Sequence, residues 1–115
     1  MARCVAHLYT HTIGINRGEN AMGKFLAIHP LTTPITVEEG TPIAKAVKAC
    51  STLDAYWVCS WLQLNEQGKV VKIFCEWNAK DMDSIMKVFK EVAKRVSLPT
   101  EGVYPMGKLD AEDFR

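Results

Sequence analysis

Four side chains on strand-like segments carry the polar chemistry of this sequence: Tyr56, Lys72, Glu76 and Tyr104. Lys72 and Glu76 stand four residues apart in an alternating stretch, so both project from one face. A covered face would desolvate them and move their pKa values toward the range of acid and base work; left open to water, they are an ordinary solvated pair. His29 closes a short apolar run just before Pro30, and a neutral imidazole there can ligate a metal or relay protons near neutral pH. Between residues 22 and 106 it is the one histidine, and the plainer role for it is a hydrogen-bonded residue near the sheet rim. Cys75 reads as a buried, inert thiol before a ligand or nucleophile. His7 and His11 add imidazoles only if residues 1–21 belong to the working chain. No Gly-rich phosphate loop, serine elbow or HExxH pair occurs. An enzyme built here would therefore work without a cofactor, through a few polar groups in an apolar pocket.

The totals bound what can hold those residues. A chain of 115 residues supports one two-layer core. Apolar residues at 48% and charged residues at 23% are ordinary for a globular domain. Fourteen basic against thirteen acidic side chains leave a net charge of +1, and no basic stripe offers itself to nucleic acid or anionic lipid. No stretch approaches the roughly 20 apolar residues of a membrane span, and no signal-peptide core opens the chain, which points to the cytoplasm. Cys4, Cys50, Cys59 and Cys75 show no CxxC pairing, so reduced thiols are expected.

Residues 1–21 stand apart as an N-terminal extension. Purine-rich codons for Arg17-Gly18-Glu19 would place a ribosome-binding site ahead of Met22, making Met22 the natural start. A genuine added strand over residues 3–9 is the alternative. From Met22 a domain runs to residue 106, followed by a tail over residues 107–115 with Leu109 and Phe114 among acids.

Residues 24–29 form an apolar strand ended by Pro30, and residues 30–40 read as loop. Thr41-Pro42 supplies an N-cap and a first-turn proline for a short helix with Ile43, Ala46, Val47 and Cys50 on one stripe. Thr36 and Glu39 resemble a capping box, but Gly40 and Pro42 should interrupt any helix begun there. Ala55–Leu64 and residues 69–77 alternate around Asn65-Glu66-Gln67-Gly68, a hairpin with Gly68 left-handed and Asn65 opposite Lys69. Unbroken counting pairs Trp57 with Trp77, Cys59 with Cys75, Ser60 with Phe74 and Trp61 with Ile73. It places Trp57, Cys59, Trp61, Val71, Ile73, Cys75 and Trp77 under the helices, the tryptophans as core aromatics rather than a stacking platform. Tyr56, Val58, Ser60, Leu62, Val70, Lys72, Phe74 and Glu76 share the other face. Asn78 is placed to cap a second helix with Met82, Ile85, Phe89, Val92 and Val96 on its stripe. Pro99 ends it, and residues 101–106 form a last edge strand.

Strand, helix, hairpin, helix, strand in this order is the α+β ferredoxin-like βαββαβ arrangement, with the first and third strands central in a four-stranded antiparallel sheet. Both helices then cover one face. The mixed face is left with an apolar patch of a kind monomers seldom expose, and two such faces meeting make a dimeric α/β barrel around a small cavity. The tail is free to wrap the second subunit.

The stretches MGKFLAIHP, GKVVKIFCEWNAKDMDSI and LPTEGVYPM resemble a family of small uncharacterised ferredoxin-like, dimeric α/β barrel proteins that includes a nickel-binding member. The resemblance spans roughly residues 22–106. It implies a strand-end histidine at His29 and a Phe-Cys pair at Phe74-Cys75. Where the metal-binding member has further histidines, this chain has Pro30 and Leu98. The functional expectation is a homodimeric binding protein for a small ligand or a divalent transition metal such as nickel, with Tyr56, Lys72, Glu76 and Tyr104 toward the ligand and His29 toward the metal. The alternatives are a cofactor-independent oxygenase or isomerase acting in the dimer cavity, and a purely structural module.

Overall fold

The structure, a computed structural model, describes residues 22–114. Both expectations for residues 1–21 lie outside the described residues. Four strands, β1 (Gly23–Ile35), β2 (Ala55–Leu64), β3 (Val70–Ala79) and β4 (Gly102–Pro105), form one antiparallel sheet in the order β2-β3-β1-β4. Helices α1 (Thr41–Cys50) and α2 (Met82–Val92) complete the expected α+β order, with β1 and β3 central. No helix among the described residues is long and apolar enough to cross a membrane.

β1 runs on through Pro30 to Ile35, beyond where the proline was expected to end it. Glu101 N–H donates to the Ile28 carbonyl and Met106 N–H to that of Lys24, so even-numbered residues of β1 turn their backbone groups toward β4. β4 begins at Gly102, opposite Ile28. The donor that Pro30 lacks would thus face a side where pairing has already stopped, and the ladder to β3 loses nothing. Beyond Pro30, residues 31–34 leave the register before Ile35 rejoins opposite Val70.

The capping box is real. Thr36 Oγ1 accepts from Glu39 N–H at 3.0 Å, and Glu39 Oε1 accepts from Thr36 N–H at 2.8 Å. It starts a 3-10 turn, Glu38–Gly40, that runs directly into α1, because Gly40 holds helical angles (φ −82°, ψ −7°) and Pro42 falls in the first turn, where its missing donor costs nothing. Thr41 is accordingly the first helical residue and not the cap.

The hairpin turn matches expectation: Gly68 has φ 78°, and Asn65 N–H donates to the Lys69 carbonyl at 2.8 Å. Its register does not. Trp57 faces Trp77, but Val58 is an extra residue, so Cys59 pairs with Glu76, Ser60 with Cys75, Trp61 with Phe74 and Leu62 with Ile73. A second shift, leaving Val71 unpaired between Lys72 and Val70, restores the count before the turn. Two compensating bulges, one on each strand, therefore turn residues 59–63 over relative to unbroken alternation. Ser60 and Leu62 face the helices, and Cys59 and Trp61 face away. Trp61 is 67% exposed, whereas Trp77 is fully buried. Val70, expected on the open face, is in the core.

β3 extends to Ala79, so Asn78 is strand and not cap. Asp81 caps α2, accepting from Ser84 N–H at 2.9 Å and from Ser84 Oγ at 2.7 Å. The Ser84 bonds hold the Asp81 carboxyl below its usual range. Ile85, Val88 and Val92 bury the inner stripe of α2 against Ala27, Cys75 and Trp77, while Met82 lies exposed.

Candidate functional site

The alternating strands give the sheet a second face that neither helix covers. Register places Lys24, Leu26, Ile28 and Pro30 of β1 there, beside Lys72, Phe74, Glu76 and Asn78 of β3 and Tyr104 of β4. Tyr56, Cys59 and Trp61 join from β2. The four residues expected to form a ligand site, Tyr56, Lys72, Glu76 and Tyr104, thus do share one face. Leu26, Ile28 and Phe74 make its middle half-buried and apolar, with Trp61 at the β2 edge.

Within this apolar field runs a connected polar chain across three strands. Lys24 Nζ lies 2.6 Å from Glu76 Oε2 and also donates to Asn78 Oδ1. Asn78 Nδ2 donates to the Tyr56 hydroxyl at 3.1 Å, and Cys59 Sγ donates to Glu76 Oε1 at 3.3 Å. The ion pair keeps only 22% and 16% of its side-chain surface in contact with solvent, and the chain can accept further cover without stranding a charge. Lys72 stands apart, its ammonium 5.9 Å from the centre of the Phe74 ring. The Tyr104 ring lies back along β4 over Gly102, which offers no Cβ to displace it.

Lys24, Asn78 and Cys59 were not among the residues expected at this site. Lys24 and Asn78 follow from strand parity once both strands are given their full length. Cys59 needs the Val58 bulge, for which no residue type in the sequence gives a sign. Lys72 and Glu76 do share the face, but Glu76 is bonded to Lys24 and not to Lys72.

His29 is on the opposite side of the sheet. It is fully buried, packed edge-on against Phe89 with ring centroids 5.2 Å apart, and not at a solvated rim. Nδ1 lies 3.0 Å from the Pro99 carbonyl and 3.1 Å from Thr100 Oγ1. A carbonyl only accepts, so Nδ1 carries the proton and Nε2 is left as a bare lone pair with no partner among the described residues. Burial lowers the His29 pKa, opposed by the Pro99 bond. Pro30 and Leu98 bring no donor, and no group of three or more His, Cys, Asp or Glu side chains suited to a metal forms among the described residues. These residues do not fit a resident metal at His29.

Cys75 is buried, and its thiol is pushed up to about 11 by desolvation, with the Ser60 hydroxyl opposing. It is an inert protonated thiol, as expected, although its neighbour across the strands is Ser60 and not Cys59.

No family model matches the sequence, and neither a curated protein nor a solved structure matches it. The class rests on the architecture: a small α+β protein with an open four-stranded antiparallel sheet and two helices, compatible with a ferredoxin-like fold.

Proposed function

We propose that this chain is a small-ligand-binding homodimer in which the open sheet faces of two copies meet as a dimeric α/β barrel, with the ligand held between them. The observation that supports it is the bonded chain Tyr56–Asn78–Lys24–Glu76–Cys59 set in the apolar field of Leu26, Ile28, Phe74 and Trp61. A face meant for water has no need of large apolar residues over three strands, and a face meant only for packing has no need of a cation, an anion and two phenols. A second copy is the fitting cover. Each face carries the paired charges of Lys24 and Glu76, so that ion pair brings no uncompensated charge to a two-fold contact, and the Lys72 ammonium is the charge left for a ligand to meet.

Inside such a barrel, the phenols of Tyr56 and Tyr104 and the ammonium of Lys72 are the groups left to address a ligand. They favour a small molecule with a carbonyl or carboxylate on an apolar body. Light scattering coupled to gel filtration tests the assembly, and thermal-shift titration with a panel of small aromatic and aliphatic carboxylic acids tests the site. Wild type should be dimeric and stabilised by at least one acid, with Lys72→Met dimeric but unresponsive. A wild-type response that Lys72→Met retains in full would remove Lys72 from the site, and a monomer would remove the barrel.

A further inference from the structure

The other side of the sheet holds a cavity that this reading does not use. Between α1, the Glu38–Gly40 turn and strands β1, β2 and β3 opens a cleft of about 340 Å3, within the usual span of small-molecule pockets, about 300–1,000 Å3. Its walls are Ile35, Val47, Leu62, Val70 and Ile73, with Leu98 closing one side. Thr41, Trp57, Ser60 and Cys75 form the polar part. None of the described residues that line it is charged.

Backbone irregularities border the cleft. The Val58 bulge follows Trp57, the Val71 bulge follows Val70, and the departure of residues 31–34 from the β1 register ends at Ile35, each beside a residue of the cleft wall. Bulges bend and twist their strands, so the sheet is irregular where the cleft lies. The Thr36–Glu39 box fixes the rim. The polar groups inside are already disposed: Trp57 Nε1 donates to Ser60 Oγ at 2.8 Å, and Ser60 Oγ donates to Cys75 Sγ at 3.1 Å. A hydroxyl offers two acceptor positions and the indole uses one, so Ser60 keeps one lone pair to offer. With the thiol protonated and no charged side chain among the described residues of the wall, an anion entering the cleft would give up hydration without meeting a counter-charge.

We propose that this cleft is a second binding site, distinct from the open face, for a small uncharged molecule with an aromatic or aliphatic body and one hydrogen-bond donor directed at Ser60. The probe is N-phenyl-1-naphthylamine, which is neutral and has a single N–H. Its control is 8-anilino-1-naphthalenesulfonate, the same skeleton with a sulfonate. The full chain should bind the neutral dye with a rise in dye fluorescence and quenching of tryptophan emission, and the sulfonate at least tenfold more weakly. Ala44→Phe, which projects into the cleft from α1, should abolish the signal. Leu62→Glu, at a more exposed wall position, should weaken it at least tenfold. Ile28→Glu, on the opposite face, should leave it unchanged whether or not the chain dimerises, which separates this site from the barrel. Circular dichroism establishes that each variant is folded. Equal binding of the two dyes, dye binding kept by whichever cleft variants are folded, loss in Ile28→Glu alone, or a wild-type chain that excludes the neutral dye would each overturn the proposal.

Discussion

Protonating His29 should destabilise the fold. Its Nδ1–H is committed to the Pro99 carbonyl, so an added proton must go to Nε2, which faces no acceptor among the described residues. The folded-state pKa lies below the ordinary 6.5, so the unfolded chain binds the proton more readily. Stability is therefore full above pH 6.5, falls as pH drops through that value, and levels off once pH is below the folded-state pKa. Urea unfolding from pH 8 to pH 5 should show this loss, and His29→Phe should flatten it while costing stability at pH 8 through the lost Pro99 bond. A wild-type midpoint that holds steady across that range would contradict the assignment. The residue type was legible in the sequence as a strand-end histidine, but its surroundings were not. Pro99 and Thr100 come to it from 70 and 71 positions away, and nothing local signals which face of β1 a helix will cover.

At the level of elements, order and type could be read from period and punctuation, whereas the bulges could not. Gly68 and Asn65 announce the turn, and because the two bulges cancel, the alternation on each side of them looks unbroken. Ser60 tests the observed register. Under unbroken alternation it sits on the open face and Ser60→Ala is nearly neutral. In the observed register the substitution strands the Trp57 indole N–H, and chemical denaturation should show a loss of about 1–2 kcal/mol. The observed caps differ from the expected ones for a related reason. Asn78 and Thr41 are good cap residues, but Asp81 and the Thr36–Glu39 box lie where the chain actually turns, and strand length decides that. Ile85, fully buried on α2, anchors that helix to the sheet. Ile85→Ala should cost about 3 kcal/mol by the same measurement, and a loss below about 1 kcal/mol would mean that α2 is not held by that contact.

For the whole molecule, the two-layer plan was legible because helix and strand periods each leave one apolar stripe, and the stripes have to meet. The ligand was not, since no motif carries chemistry and the polar chain on the open face is assembled from three strands. The tail expected to wrap a second subunit ends in a short 3-10 turn, Ala111–Phe114, with Leu109 84% and Phe114 70% exposed. The account turns on whether a second copy covers the open sheet face. Sedimentation equilibrium of wild type and Ile28→Glu measures this most directly. Wild type should sediment at twice the chain mass at micromolar concentration, and Ile28→Glu, with unchanged circular dichroism, at the mass of one chain. A wild-type protein that stays at one chain mass, or a folded Ile28→Glu that stays at two, would contradict it.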